Sequence, residues 1–266
     1  MDVGSRTDGG RVRENNEDSF LVVAPINLFI VSDGMGGEAH GEVASAIAVQ
    51  TIGEYCQADG ADPSAAPIGE ARPGLSAQTN RLLSAVALAN RRIHEASERD
   101  PDDRGMGATV VAAWLDELKL SLVHVGDSRV YLLRAGALQQ LTADHSLVAE
   151  QVRRGYITPQ QAELSELQNV LTRALGPHDE IEIDAAEHTL QPGDTLILCT
   201  DGVTRMVSDE EIASTLLTTP GAQAAADHIV ELANENGGVD NSTVIIVSIT
   251  PDNDGLLDKF KLWRRD

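Results

Sequence analysis

Five aspartates stand beside glycines or small polar residues at widely separated points of this 266-residue chain. They are Asp18 in Glu17-Asp18, Asp33 in Asp33-Gly34-Met35-Gly36-Gly37, Asp127 in Gly126-Asp127-Ser128-Arg129, Asp201 in Thr200-Asp201-Gly202, and Asp240 in Asp240-Asn241-Ser242-Thr243. Each lies at the end of an apolar run that reads as a strand, so one sheet edge can gather several of them. Two carboxylates about 4 Å apart repel by roughly 4 kcal/mol at an effective dielectric of about 20. A gathered set therefore calls for a cation, and the pattern points to divalent metal.

The elements that must position them follow from periodicity. Phe20 to Ala24 and Leu28 to Ser32 read as two strands around the turn Pro25-Ile26-Asn27, with Asp33 at the exit of the second. Gly41 to Cys56 changes to helical spacing, with Val43, Ile47, Ile52 and Tyr55 on one face, and a second helix spans about Ser76 to Arg99. Between them, residues 57–75 read as a loop. Ala108 to Leu115, Leu118 to Val125 and Val130 to Arg134 read as successive strands, the last turning at Ala135-Gly136 into Ala137 to Leu141. Residues 145–170 are charged and helix-prone, with little apolar content. Thr195 to Thr200 is a strand, Ser208 with Glu211 is a capping box, Ala222 to Asn236 is a helix ended by Gly237-Gly238, and Thr243 to Ile249 closes the series. Runs of strands and runs of helices without strict alternation predict an antiparallel α+β architecture rather than a doubly wound parallel sheet.

The chain carries 20 basic and 42 acidic residues, a formal charge of -22. That balance argues against nucleic acid or an anionic membrane as the main partner. Its two cysteines, Cys56 and Cys199, lie in apolar contexts without metal or redox spacing, as reduced core residues do. No signal-like start and no apolar run of membrane-spanning length is present, and a cytoplasmic protein is expected.

The strings TDGGRVRENNEDSF, VSDGMGG, GEVAS, GATVVAAWL, VHVGDSRVYLLR, LTADHSLV, LTRALG, LCTDGV and DNSTVIIV occur in this order and reach to about Thr250. Together they resemble the metal-dependent serine/threonine protein phosphatases of the protein phosphatase 2C type, in their bacterial form. The resemblance implies a sandwich of two antiparallel sheets flanked by pairs of helices. It implies a catalytic domain over residues 1–250, leaving 251–266 as a basic amphipathic tail.

The resemblance also implies a binuclear centre with Asp33, Asp201 and Asp240 as carboxylate ligands, the Gly34 carbonyl as a further ligand, and Asp18 acting directly or through a bound water. An all-oxygen set suits Mn²⁺ or Mg²⁺ and disfavours zinc. A hydroxide bridging two such cations would attack phosphorus directly, in keeping with a chain that has no Cys-containing phosphate loop and no Gly-x-Ser-x-Gly elbow. Arg13 matches the arginine that holds substrate phosphate, where a guanidinium binds two oxygens at once. Asp127 matches the residue that joins the Asp201 equivalent at a third, weaker metal site. Glu17 suits either a supporting or a structural role.

Two departures from the family pattern stand out. Met35 occupies the place where animal members have the histidine thought to protonate the leaving group, which leaves the general acid unassigned between a metal-bound water and His40, the histidine nearest in sequence. His145 lies between Asp144 and Ser146, and groups adjacent along the chain cannot face one another as a hydrolase triad. Residues 145–170 correspond to the variable flap of bacterial relatives. Their charges, among them Arg153, Arg154, Glu163 and Glu166, suit either selection of phosphoprotein surfaces or simple solvation. In the tail, Leu256, Leu257, Phe260 and Trp263 alternate with Lys259, Lys261, Arg264 and Arg265, so it can pack on its own domain, fray, or dock elsewhere.

The function expected is hydrolysis of phosphoserine and phosphothreonine in proteins by a monomeric enzyme, with a serine/threonine kinase or that kinase's targets as partners. The alternatives are a catalytically silent family member used for binding or sensing, and a metal-dependent nuclease, which the acidic balance disfavours.

Overall fold

The computed structural model describes residues 1–36, 40–58, 68, 69 and 71–250. The strands are β1 Asp2–Asp8, β2 Asp18–Val23, β3 Leu28–Met35, β4 Gly107–Ala108, β5 Val110–Asp116, β6 Lys119–Val125, β7 Arg129–Arg134, β8 Ala137–Gln140, β9 Asp184–Thr189, β10 Thr195–Cys199 and β11 Ser242–Ser248. One sheet has the order β1-β11-β10-β7-β8 and the other β2-β3-β5-β6-β9, with the short β4 paired to β3. All pairings are antiparallel. The α+β sandwich expected from sequence is the one found.

Alternation along each strand builds three apolar layers. Phe29 and Val31 of β3 meet Leu196 and Leu198 of β10 and Ile245 and Val247 of β11 between the sheets. The opposite face of β3, Leu28 and Ile30, packs on α1 Gly41–Gln57 and α2 Ala77–Arg99. The opposite face of β10 and β11, including Ile197, Val244 and Ile246, packs on α6 Asp209–Thr218 and α7 Ala222–Glu235. Central strands covered on both faces read as continuous apolar runs, which is why they stand out in the sequence.

Caps fix the helix starts. Ser76 Oγ accepts from Thr79 N at the head of α2, and Ser208 with Glu211 forms the expected capping box on α6. Residues 145–170 hold two short helices, α3 Leu147–Arg153 and α4 Pro159–Glu163, the second with its own Thr158–Gln161 capping box. Buried Cys56 and Cys199 are free thiols, and burial pushes each up to about 12. No helix among the described residues is long and apolar enough to cross a membrane.

Three expectations need correction. Strand β3 does not stop before Asp33 but runs through it to Met35, because Gly34 and Met35 pair with Ala108 and Gly107. The run from Ala108 to Leu115 is broken at Thr109, whose side chain is committed to Asp33 and Ser128. Strands β1 and β9 lie at sheet edges and carry too few apolar residues to read as strands. The tail from residue 251, Gly37, and much of the loop after α1 lie outside the described residues.

Candidate metal centre

The register of β2 on β3 sets Asp18 directly opposite Asp33, a spacing of about 5 Å between Cβ atoms. Asp201 opens the one-turn helix α5 Asp201–Thr204 at the exit of β10, and Asp240 lies just before β11. Asp127 lies in the turn joining β6 to β7, which cross from one sheet to the other. All five carboxyls therefore converge on one end of the sandwich. Asp33, Asp127, Asp201 and Asp240 line a cavity of about 220 Å³ with Arg13, Glu17 and Gly34.

Asp18 takes no part in that lining. It lies behind, where Oδ2 accepts from Thr200 Oγ1 at 2.9 Å and Thr243 Oγ1 at 2.6 Å, while Oδ1 is buried without a partner. Asp201 Oδ1 is likewise buried and unpartnered. Thr109 Oγ1 accepts the Asp33 backbone N–H at 3.0 Å and meets Ser128 Oγ at 2.7 Å, tying the Asp33 strand to the Asp127 turn. Asn241 Oδ1 accepts from Glu17 N at 2.9 Å, and its amide donates to Gly9 and Asn15 carbonyls, tying the Asp240 loop to the segment that carries Arg13.

Backbone approaches backbone closely here. A Cβ on Gly34 would lie 2.1 Å from Gly41 O and 2.6 Å from Glu17 O, so no larger residue fits beside that carbonyl.

Electrostatics show what the pocket lacks. Burial, with the fields of Asp201 and Asp240, pushes Asp18 up to about 7. Burial and the charges of Asp18, Asp201, Asp127 and Asp240 push Asp33 well above the usual carboxylate range. Burial, then Asp201 and Asp144, pushes Asp127 up to about 7 despite Arg205, and burial also raises Asp201 and Glu17. Protons or cations must offset this charge. Orphaned buried oxygens, an all-oxygen donor set and a cradle closed to side chains fit two hard divalent ions, with Asp33, Asp201, Asp240 and the Gly34 carbonyl as the groups able to hold them.

Two guanidiniums supply part of the compensation. Arg13 lines the cavity, where its Nη2 donates to Asp240 Oδ2 at 2.8 Å, whereas Arg6 pairs with Asp227 and Asp8. Arg205 bonds Asp201 and lies 3.4 Å from Asp240 Oδ2. Sequence reading passed over Arg205, although its spacing of four from Asp201 on a helix start is a signal for such a pair. It also passed over Asn169 and Leu171, which reach the cavity from the end of the 145–170 segment and the residue after it.

Among the described residues no histidine lines the cavity. Met35 does, and a thioether donates no proton. His40 precedes α1 without a side-chain capping bond, and its Nδ1 meets Asp103 Oδ1 at 3.1 Å. The Asp144-His145-Ser146 string separates as expected: Asp144 binds Arg129, Ser146 caps α3, and His145 Nδ1 accepts Gly126 N–H at 3.1 Å. His124, His145 and Asp184 form a second compact group. There His145 stacks on His124 at 4.7 Å, and Asp184 is held by Arg173 at 2.7 Å, so the group buttresses the Gly126 turn.

Residues 10–236 match the family model described as Protein phosphatase 2C. The chain is 38% identical over 250 residues to the serine/threonine phosphatase stp of Listeria monocytogenes, covering 93% of this chain and 95% of that protein. It is 38% identical over 245 residues to the serine/threonine protein phosphatase PstP of Mycobacterium tuberculosis, covering 92% of this chain and 44% of that protein. The crystal structure of the Mycobacterium tuberculosis phosphatase PstP/Ppp superposes with a TM-score of 0.82 at 36% identity, covering 94% of this chain and 98% of that one. A PstP catalytic domain in complex with two manganese ions superposes at 0.79 and 37% identity, with the same coverage. This chain belongs to the protein phosphatase 2C family.

Proposed function

We propose that this enzyme, a protein serine/threonine phosphatase by family, hydrolyses phosphoserine and phosphothreonine at the Asp33–Asp201–Asp240 cavity using two Mn²⁺ or Mg²⁺ ions. The observation that carries the reading is the convergence of five carboxyls from separate segments on one sandwich edge, with burial favouring the uncharged forms of Asp18, Asp33, Asp127 and Asp201 and two oxygens left without partners. When bound, the ions supply a water acidic enough at neutral pH to attack phosphorus, and they offset phosphate charge.

The chain's own groups do the rest. Asp33, Asp201, Asp240 and the Gly34 carbonyl would hold the ions. Asp18 is aimed by two threonine hydroxyls and acts from behind, directly or through a water. Arg13 exchanges Asp240 for two phosphate oxygens, its exposed fork facing the cavity mouth. Asp127, with Asp201, offers a third and weaker position. No side-chain imidazole delivers the leaving-group proton among the described residues, so solvent in the cavity or Glu17, the remaining cavity carboxyl, must supply it. The remaining parts of the reading are one catalytic domain to residue 250, a monomeric state, a cytoplasmic location, and a serine/threonine kinase with its targets as partners.

Rapid acid quenching during turnover of a radiolabelled phosphothreonine peptide tests direct attack by water. All label should appear as free phosphate or peptide, and label trapped on the protein would overturn the mechanism.

A further inference from the structure

Arg205 closes the single turn of α5, its N–H bonded to the Asp201 carbonyl at 2.9 Å. That spacing of four brings its side chain back over Asp201, where the guanidinium pairs with Oδ2 and also faces Asp240 Oδ2 at 3.4 Å. Arg205 and Asp127 both line the metal cavity, and both also line the adjoining groove of about 820 Å³ beneath α3 and α4. Arg205, Asp127 and Asp201 thus border both spaces, the Arg205 charge acts on the Asp127 carboxyl as well, and the guanidinium is largely sheltered from solvent.

A divalent ion shared by Asp127 and Asp201 would meet a fixed positive charge already using Asp201 Oδ2. Asp33 and the Gly34 carbonyl, which serve the two principal positions, are carried by β3 of the opposite sheet.

We propose that Arg205 is a built-in competitor for the weakest metal position, the one between Asp127 and Asp201, so that the enzyme works as a two-ion phosphatase over a wide range of metal concentration. This rests on the metal-centre reading given above. Arg205 is a positioning residue in this account, since it acts through Asp201 and Asp127 and touches no substrate.

Calorimetric and paramagnetic-resonance titration of the full chain with Mn²⁺ counts ions without requiring turnover. Wild type should bind two ions tightly and a third only weakly. Arg205→Met should bind the third at least tenfold more tightly, Arg205→Lys should stay near wild type, and adding Asp127→Asn to Arg205→Met should abolish the gain. Arg205→Gln, which also lacks the charge, gives the same comparison should Arg205→Met not fold. Equal third-ion affinity in wild type and the uncharged variants, or a gain that survives loss of Asp127, would overturn the proposal. Absence of the first two ions from wild type would instead overturn the metal-centre reading.

Discussion

Replacing Asp18 by asparagine should stabilise the metal-free protein while weakening the metal-loaded one. Burial holds the Asp18 carboxyl at about 7 rather than at its ordinary 3.8, and each pH unit of such a rise corresponds to about 1.4 kcal/mol. A carboxyl raised on folding contributes stability that is complete below its unfolded value and is lost as pH climbs to the folded one. Wild type in chelator therefore loses stability between about pH 4 and pH 7, by at most about 4 kcal/mol through this group. Asparagine keeps an oxygen for the Thr200 and Thr243 hydroxyls and cannot ionise, but it leaves an amide at the position of the orphaned Oδ1. That unmet donor costs about 1–2 kcal/mol, and sharing of protons with Asp33 and Asp201 trims the gain further. A net of about 2 kcal/mol at pH 8, or roughly 4–8 °C in Tm for a chain of this size, is expected. Thermal unfolding in chelator from pH 4 to 8 should show the variant below wild type by about 1–2 kcal/mol at the acid end and above it as pH rises. At saturating Mn²⁺ the order should reverse, because an ion at about 100 times its Kd adds about 2.7 kcal/mol only to a protein that binds it well. Coincident unfolding of variant and wild type at every pH in chelator would refute the reasoning.

Other consequences are as direct. Arg13→Lys keeps the charge but not the two-pronged fork, so KM for a phosphopeptide should rise about tenfold in steady-state assays while Mn²⁺ affinity measured by calorimetry stays unchanged. Gly34→Ala places a methyl 2.1 Å from Gly41 O and should cost about 2–3 kcal/mol or more in denaturant unfolding, with weakened metal binding. Burial holds His145 down at about 4; a histidine lowered on folding contributes stability that is present above its unfolded value near 6.5 and is lost as pH falls to about 4. Mn²⁺-loaded wild type should therefore lose up to about 3 kcal/mol over that window, and His145→Asn, which keeps an acceptor for Gly126 N–H, should show a correspondingly flatter profile.

Much of the centre was legible because its parts are written locally. Asp33-Gly34 and Asp201-Gly202 are tight backbone features flanked by strands buried on both faces, and such strands are the loudest apolar signals in the chain. What stayed hidden depends on long-range pairing. Strand β1 is polar at alternate positions and exists because β11 offers a free ladder edge, as β6 does for β9. Likewise, nothing local says that Asp18 faces Asp33 across β2 and β3, or that Thr200 and Thr243 draw its carboxyl back from the cavity. Asn169 and Leu171 reach the site only because residues 145–171 fold over it. Arg205 was written at helical spacing from Asp201, yet a four-residue helix is too short for periodicity to reveal.

Phosphate release from a phosphothreonine peptide, measured for wild type, Asp33→Ala and Asp240→Ala with Mn²⁺, Mg²⁺ or chelator, addresses the central claim. Turnover by wild type only with metal, and its loss by 100-fold or more in both folded variants, is the expected result on the order that removing a principal charge-stabilising group gives. Undiminished turnover in chelator, or full activity in either variant, would contradict a reaction run by metal held on these carboxylates.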